Sequence, residues 1–110
     1  MPDDELYPSM NNSKWDELRL EMSALDAPPS FSTLATNGYH APPDREWFYH
    51  FRNGGSYDWI LHVDILVDNV EQRELVRSAL KRVHVPGEET SHGFRVFGYL
   101  RAGQAADYFQ

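Results

Sequence analysis

The sequence predicts an α+β domain with a single, mainly antiparallel four-stranded sheet and two helices, in the order α-β-β-β-α-β. Three observations indicate this class. Two segments repeat apolar residues at helical spacing, four segments have a strand-like composition, and a Gly-Gly turn separates the two most aromatic of those strands. At 110 residues the chain has the length of one domain. We therefore expect one domain over residues 12–110, preceded by a flexible acidic leader over residues 1–11.

Residues 46–65, EWFYHFRNGGSYDWILHVDI, form the central motif of the predicted sheet. Apolar and polar side chains alternate on both sides of Gly54 and Gly55, which indicates two strands joined by a turn. A three-residue loop over 53–55 keeps the aromatic side chains on one buried face, whereas a two- or four-residue loop would mix the faces. A five-residue loop remains possible. The preferred register pairs Phe51 with Tyr57, Tyr49 with Trp59 and Trp47 with Leu61.

The first helix is predicted from a cap at Asn12 or Ser13 to about Leu25. Pro28 and Pro29 prevent its continuation. Spacings of three and four residues produce one apolar stripe along it. The stripe consists of Trp15, Leu18, Met22 and Leu25. A short strand over residues 31–36 is predicted to follow this helix.

The second helix is predicted over residues 70–83, with Asp68 and Glu71 as a variant capping box. Its buried stripe is expected to comprise Leu75, Val76, Ala79, Leu80 and Val83. The opposite side carries a basic row of Arg73, Arg77 and Lys81. Such a row is usually a solvated face, and contact with phosphate or nucleic acid is the less favoured alternative.

A polar loop is predicted over residues 86–93, followed by a last strand over residues 94–100. Both faces of this strand carry apolar residues. That composition is typical of an interior strand, or of one whose second face is covered by a helix or a partner. An uncovered second sheet face, bearing Phe48, Ile60 and Phe97, would indicate a binding surface.

Charge and composition restrict the possible functions. Residues 1–67 hold eleven Asp/Glu and four Lys/Arg, residues 68–110 hold six of each, and the net charge is −7. This charge disfavours nucleic-acid binding, which depends on cations, and it can steer a basic partner. The chain has no cysteine, no apolar run of membrane-spanning length and no signal-like start. We therefore expect a cytoplasmic protein that binds neither membrane nor nucleic acid.

Signatures of catalysis are weak in this sequence. In the predicted hairpin His50 faces Asp58 and His62 faces Glu46, a set that could bind a divalent ion and serve a small metal- or carboxylate-dependent hydrolase. However, neither an HExxH motif nor a Gly-x-Ser-x-Gly elbow occurs, and cross-strand His–carboxylate pairs are ordinary in sheets. We expect no enzyme, no cofactor and no metal site, with this hydrolase as the alternative.

The preferred functional hypothesis is a non-enzymatic protein-binding domain of the immunity or antitoxin kind, which inhibits a toxin by occupying its surface. Small size, acidity and the lack of a catalytic motif favour it. Charged contact residues would speed association with a basic partner. The expected contact residues are Asp16, Glu17, Glu21, Asp58 and Asp64. A homodimer joined through the second sheet face is a further alternative.

Four strings of the sequence carry a resemblance to a family. They are MNNSKWDELRL, EWFYHFRNGG, ALKRVHVPGEETSHGFRVFGYL and DYF. Together they resemble an uncharacterised family of small bacterial domains of unknown function, over nearly all of residues 10–109. The resemblance implies a compact, bacterial, cytosolic domain to which residues 1–9 are an extension. It implies no activity and no catalytic residue.

Overall fold

The computed structural model describes residues 6–47, 51, 57–101, 103 and 107–110, which form two helices and six strands. Their order is β1 (Leu6–Pro8), α1 (Asn12–Ser23), β2 (Ser30–Ala35), β3 (Ile60–Leu66), α2 (Val70–Val83), β4 (Gly87–Glu89), β5 (Gly93–Phe97) and β6 (Tyr99–Arg101). The predicted α+β class is confirmed. The prediction of a single sheet is wrong, because β2-β3-β5-β4 form one antiparallel sheet and β1-β6 form a second.

Strand β3 does not pair in the predicted hairpin. β3 lies between β2 and β5, so that Val63 has Thr33 and Val96 as its cross-strand partners. Trp47, the predicted partner of Leu61, lies in a turn outside the strands, and that pairing is wrong. The predicted first strand and loop fall largely in residues 48–50 and 52–56, which lie outside the described part of the chain.

Three aromatic residues of this region are nevertheless buried as the alternation predicts, whereas Trp59 is only partly buried. Trp47, Phe51 and Tyr57 are each at most 1% exposed. The Phe51 ring lies 4.8 Å from that of Trp47 and 5.8 Å from that of Tyr57, between ring centroids. The indole N–H of Trp47 donates a hydrogen bond of 2.8 Å to the carbonyl oxygen of Pro29, which satisfies its one buried polar group. The three side chains form an aromatic cluster without being cross-strand neighbours.

The alternation of buried and exposed side chains along β3 is interrupted part of the way along the strand. Val63 and Ile65 are buried as predicted, whereas Leu61 is only half-buried and Ile60 is fully buried. The cause is an irregularity in the pairing with β2, in which consecutive residues of β2 pair with His62 and with Ile60. Since an extra residue in one strand reverses the faces beyond it, the predicted burial of the odd-numbered residues does not extend to Leu61.

Helix α1 buries the predicted side chains but begins at a different cap. Trp15, Leu18 and Met22 are at most 3% exposed. The side chain of Asn11 accepts a hydrogen bond of 2.8 Å from the backbone N–H of Lys14, so Asn11 is the cap in place of Asn12 or Ser13. The helix ends at Ser23, two residues before the predicted end.

Helix α2 has the predicted bounds, with two corrections. The cap is Asn69, whose side chain accepts a hydrogen bond from the backbone N–H of Gln72, in place of Asp68. Leu75 is 54% exposed, so its assignment to the buried stripe is wrong. Gln72 is buried instead, and its amide donates to the carbonyl oxygen of Ala27 while its oxygen accepts from the N–H of Asp68. This bridge lets a polar residue occupy the buried face of the helix.

Three short strands, β1, β4 and β6, were not predicted as separate strands. The polar segment 86–93 contains β4, which pairs with β5. The strand predicted over 94–100 is divided at Gly98, so that β5 stays in the main sheet and β6 pairs with β1. The leader was expected to lack regular structure, and the structure differs from that expectation at Leu6–Pro8, which is β1.

The two helices cover one face of the four-stranded sheet. Their buried side chains form a single core cluster with those of Val63, Ile65, Phe94 and Val96.

Both outer edges of the sheet are occupied by other segments. At β2 the N–H of Ala41 donates to the carbonyl oxygen of Thr33 (2.9 Å), and at β4 the N–H of Gly87 donates to that of Asp107 (2.9 Å). In the described part of the chain, neither helix has the length and apolar composition of a membrane span.

Replacement of Gly98 by alanine is expected to destabilise the fold by roughly 2–3 kcal/mol, the cost of overpacking a core. A Cβ atom at Gly98 would clash with the backbone oxygen of Ile60 and lie 3.0 Å from the Trp15 ring. Gly38→Ala is the matched control, since a Cβ there meets nothing within 4 Å and only its φ of 93° is unfavourable, at about 1 kcal/mol. Urea unfolding measures both losses, and a smaller loss for Gly98→Ala would contradict the steric account.

Candidate functional site

The face of the four-stranded sheet that lies away from the helices carries a row of polar residues across all four strands. We call it the open face. Asp64 of β3 is the register partner of Ser32 in β2 and of Arg95 in β5, and Arg95 is in turn the partner of Glu88 in β4. A second row beside it consists of Leu34, His62 and Phe97. Since side chains alternate across a strand, the burial of Val63 and Ile65 on the helix side directs Asp64 to the open face.

Asp64 and Arg95 form the ion pair at the centre of the open face. The Nε of Arg95 donates to Oδ1 of Asp64 at 2.7 Å, and its Nη2 donates to Oδ2 at 3.3 Å. The two side chains are 20% and 37% exposed. The hydrogen bond from Arg95 to Asp64 raises the pKa of the guanidinium. A two-pronged contact of this kind holds both side chains in one geometry.

His62 lies beside this pair, in surroundings that favour its neutral form. Its Nδ1 is 3.9 Å from Oδ1 of Asp64, too far for a hydrogen bond, and it is a buried atom with no hydrogen-bond partner among the described residues. Burial lowers the pKa of His62 from its ordinary 6.5, and the charge of Arg95 lowers it further, while Asp64 acts in the opposite direction. Burial and the charge of Arg95 therefore favour the neutral imidazole.

Two cavities flank this central group on the open face. One, of about 430 Å³, lies between the sheet and the segment 40–43. Its lining consists of Ser32, His40, Ala41, Pro42, Pro43, Asp64 and Leu66. The other, of about 240 Å³, lies where the two sheets meet. Its lining consists of Leu6, Leu34, Leu61, His62, Phe97, Tyr99 and Arg101.

Ser32 and His40 approach each other on this face but are not arranged as nucleophile and base. The hydroxyl of Ser32 donates its hydrogen to the carbonyl oxygen of Ala41 at 2.7 Å, and the Nε2 of His40 lies 2.8 Å from the same hydroxyl oxygen. Because a hydroxyl has a single hydrogen, Nε2 is the donor in the second contact. The pair therefore attaches the segment 40–43 to the sheet.

The predicted metal set is not brought together. His62 has Leu34 and Phe97 as cross-strand neighbours, so its predicted position opposite Glu46 is wrong. Glu46 and Asp58 are exposed outside the strands, and His50 lies outside the described residues. Over residues 6–47, 51, 57–101, 103 and 107–110, no group of three or more possible metal ligands occurs.

The five acidic residues predicted to contact a partner lie in different environments. Asp16 of α1 accepts a hydrogen bond of 2.5 Å from the hydroxyl of Tyr57, and Glu21 forms an ion pair of 2.7 Å with Arg82. Glu17 is exposed on α1, and Asp58 is exposed in a turn. Asp64 is paired with Arg95 on the open face. The α1 residues lie on the helix side of the sheet, so they do not form one surface with Asp64.

The predicted basic row is largely engaged within the molecule. Arg73 and Arg77 bind the two carboxylate oxygens of Glu89 at 2.7 and 2.6 Å, and both guanidinium groups lie over the ring of Phe94. Lys81 is exposed. These contacts join α2 to β4, and the hydrogen bonds from Arg77 and Arg73 lower the pKa of Glu89 to about 2.

Sequence reasoning did not single out Arg95, Ser32 or His40 as site residues. A signal was present for two of them, because Arg95 lies between the apolar Phe94 and Val96, and Ser32 follows the apolar Phe31. Alternation of this kind shows that a side chain points away from the core. It does not show which strand lies alongside, so it could not bring these residues together.

These features define the chain as a small α+β domain with an open, polar sheet face. The chain belongs to DUF6678, a family of unknown function, whose sequence profile matches residues 1–103. The match confirms the resemblance to an uncharacterised family, and it includes the residues 1–9 that were expected to be an extension. No curated protein and no solved structure matches the chain.

Glu89→Gln is expected to remove an acid-dependent part of the stability. The folded pKa of Glu89 is about 2 against an ordinary 4.5, so its contribution is fully present above pH 4.5 and is lost as the pH falls towards 2. The stability difference between wild type and variant, measured by urea unfolding, should therefore shrink over this range and be smaller in high salt. Glu17→Gln is the control, since Glu17 is exposed and forms no ion pair in the described part of the chain. An unchanged difference down to pH 2 would contradict the assignment.

Arg95→Gln is expected to raise the pKa of His62, and Asp64→Asn to lower it further. Arg95 opposes protonation of the imidazole and Asp64 favours it, while burial acts equally in both variants. Titration of the histidine side chains by NMR measures both shifts. Arg45→Gln is the control, because Arg45 pairs with the exposed Asp68 and is not among the charges that shift the pKa of His62. Shifts of the same sign in the first two variants would show that His62 does not respond to this ion pair.

Proposed function

We propose that this chain is a non-enzymatic protein-binding domain of the immunity or antitoxin kind, which inhibits a basic partner protein by occupying its surface with the open face. The observation that carries the proposal is the open face itself. Half-buried Leu34, Leu66 and Phe97 surround the Asp64–Arg95 pair there, with no helix over them in the described part of the chain. Apolar side chains around a central arginine are typical of contact surfaces between proteins.

The closed edges of the sheet favour contact through its face. A partner that added a strand would need unpaired backbone groups at β2 or β4. The hydrogen bonds of Ala41 with Thr33 and of Gly87 with Asp107 occupy such groups at both edges. Side chains on the open face are therefore the groups available to a partner.

The distribution of ion pairs favours a basic partner. Five of the ten Lys/Arg residues are engaged in ion pairs within the described part of the chain. They are Arg45, Arg73, Arg77, Arg82 and Arg95. Exposed carboxylates such as Glu17, Glu71 and Glu88 form no ion pair in that part, and the net charge is −7. The surface therefore attracts cations over a distance, which speeds association with a basic protein.

The polar groups of the open face support binding rather than hydrolysis. The hydrogen of Ser32 is used by the carbonyl oxygen of Ala41, and both oxygens of Asp64 are engaged by Arg95. A nucleophile and its base need those groups to face a substrate. The arrangement is suited instead to presenting a fixed pattern of charge and apolar surface.

Charge reversal at Glu88 is the test of this proposal. The tagged chain is used to capture partners from a lysate of the source organism, and the captured protein is identified, purified and measured against the variants. Glu88→Lys should weaken binding about tenfold or more, because it places a cation on the open face opposite a basic surface. Glu71→Lys changes the net charge equally but lies on α2, on the other side of the sheet, and should cost much less.

The outcomes of this test are distinct. A stoichiometric complex that weakens with salt and with Glu88→Lys supports the proposal. Equal losses in the two variants, or an affinity that salt does not change, would show that the open face is not the contact surface. Recovery of a homodimer alone, by mass in solution, would overturn the inhibitor function.

A further inference from the structure

The cavity of about 240 Å³ between the two sheets has a volume and a lining that suit one small ring. We call it the His62 cavity. Its apolar lining comes from both sheets, namely from Leu6, Leu34, Leu61 and Phe97. Sites for drug-sized ligands are usually about 300–1,000 Å³, so this cavity is suited to a group smaller than such a ligand. The aromatic side chain of Phe97 favours a planar ring against it.

The polar groups of the cavity define what such a ring must carry. The hydroxyl of Tyr99 donates its hydrogen to the carbonyl oxygen of Asp58 at 2.6 Å, so that hydrogen is not available to a ligand. Arg101 lies at the exposed end. His62 therefore supplies the polar group in the interior of the cavity, and its Nε2 is the ring nitrogen that remains for a ligand, because Nδ1 is buried near Asp64.

The tautomer of His62 follows from the same geometry. A carboxylate oxygen 3.9 Å from Nδ1 attracts a hydrogen on that nitrogen and repels a lone pair. With the hydrogen on Nδ1, Nε2 is an acceptor in the neutral ring. A ligand in the cavity must therefore offer a hydrogen-bond donor at the edge of an apolar ring.

We propose that the His62 cavity binds a phenolic group, whose ring packs between Leu34, Leu61 and Phe97 and whose hydroxyl donates to Nε2 of His62. A phenol combines a ring of the required size with a strong O–H donor that stays protonated at neutral pH. The group is supplied either by a free phenol or by a tyrosine side chain of another protein. The site does not depend on the partner proposed above, because a free phenol is sufficient to fill it.

The proposal has a pH dependence that follows from His62. Protonation of the imidazole converts Nε2 from acceptor to donor, so the phenol could then only accept from it, and a ring in the cavity would cover a charged imidazolium, which is unfavourable. The charged or titratable groups that surround His62 are Asp64 on the same strand, Arg95 on β5, Glu88 on β4, His40 on the segment beside β2, and Arg101 on β6. Binding should therefore be constant near neutral pH and weaken below the pKa of His62.

A titration of the wild-type chain with p-cresol and with toluene tests the site. The two probes share the ring and the methyl group, and only p-cresol has the hydroxyl. Chemical shifts of Leu61, His62 and Phe97, followed by NMR, should report binding of p-cresol about fivefold to tenfold tighter than toluene, the effect of one hydrogen bond. Binding of both probes should weaken at acidic pH, where either ring covers a charged imidazolium, and Arg95→Gln should move this loss to higher pH.

His62→Phe is the matched variant, since it keeps an aromatic ring and removes the acceptor. It should bind the two probes equally. If this variant does not fold, the pH dependence in the wild type and its displacement in Arg95→Gln still show whether the probes lie against His62. No shift at the cavity residues with p-cresol would overturn the site, and equal affinity for the two probes in the wild type would overturn the role of His62.

N-acetyltyrosinamide distinguishes the two sources of the phenol. Binding at least as tight as that of p-cresol would identify a tyrosine side chain as the ligand, and its exclusion while p-cresol binds would identify a free phenol. Either result supports the phenolic site. Failure of all three probes would leave the charge-reversal test of the protein-binding function unaffected, because that test does not involve the cavity.

Discussion

The central position of β3 is the constraint on which the rest of the structure depends. This strand is hydrogen-bonded on one side to β2 and on the other to β5, so it has no edge left for a hairpin partner. Its buried residues Ile60, Val63 and Ile65 have no exposed surface, and they bring both helices against one face of the sheet. Its alternate residues His62 and Asp64 are thereby placed on the other face, away from the helices.

Arginine side chains determine how the remaining elements are held around this strand. Arg73 and Arg77 join α2 to Glu89 of β4, Arg82 joins it to α1, and Arg95 joins β5 to β3. Exposed ion pairs contribute little to stability individually. These contacts therefore matter mainly because they position the elements relative to one another and neutralise the arginine charges. Because an ion pair neutralises charges of both signs, the net charge of −7 remains on the rest of the chain. This net charge, and not the ion pairs, is the property on which the proposed preference for a basic partner depends.

The open face combines two properties that belong together in a contact surface. It has a rigid centre, in which the Asp64–Arg95 pair is fixed by two hydrogen bonds, and it has cavities on either side. Tyrosine is among the side chains that contribute most to protein interfaces, because it combines a large ring with a polar tip. The proposed phenolic site beside the ion pair therefore agrees with the proposed protein-binding function, although the two proposals rest on different observations.

The sequence by itself determined the elements whose signals are local. The bounds of α2, the buried residues of α1 and the burial of Trp47, Phe51 and Tyr57 follow from periodicity and from residue type. Tertiary structure alone decided the partners of β3, the division of the last strand at Gly98, and the assembly of the open face. The physical reason is that alternation indicates which way a side chain points, whereas strand partners and ion pairs join residues far apart in the chain, where many pairings satisfy the same pattern.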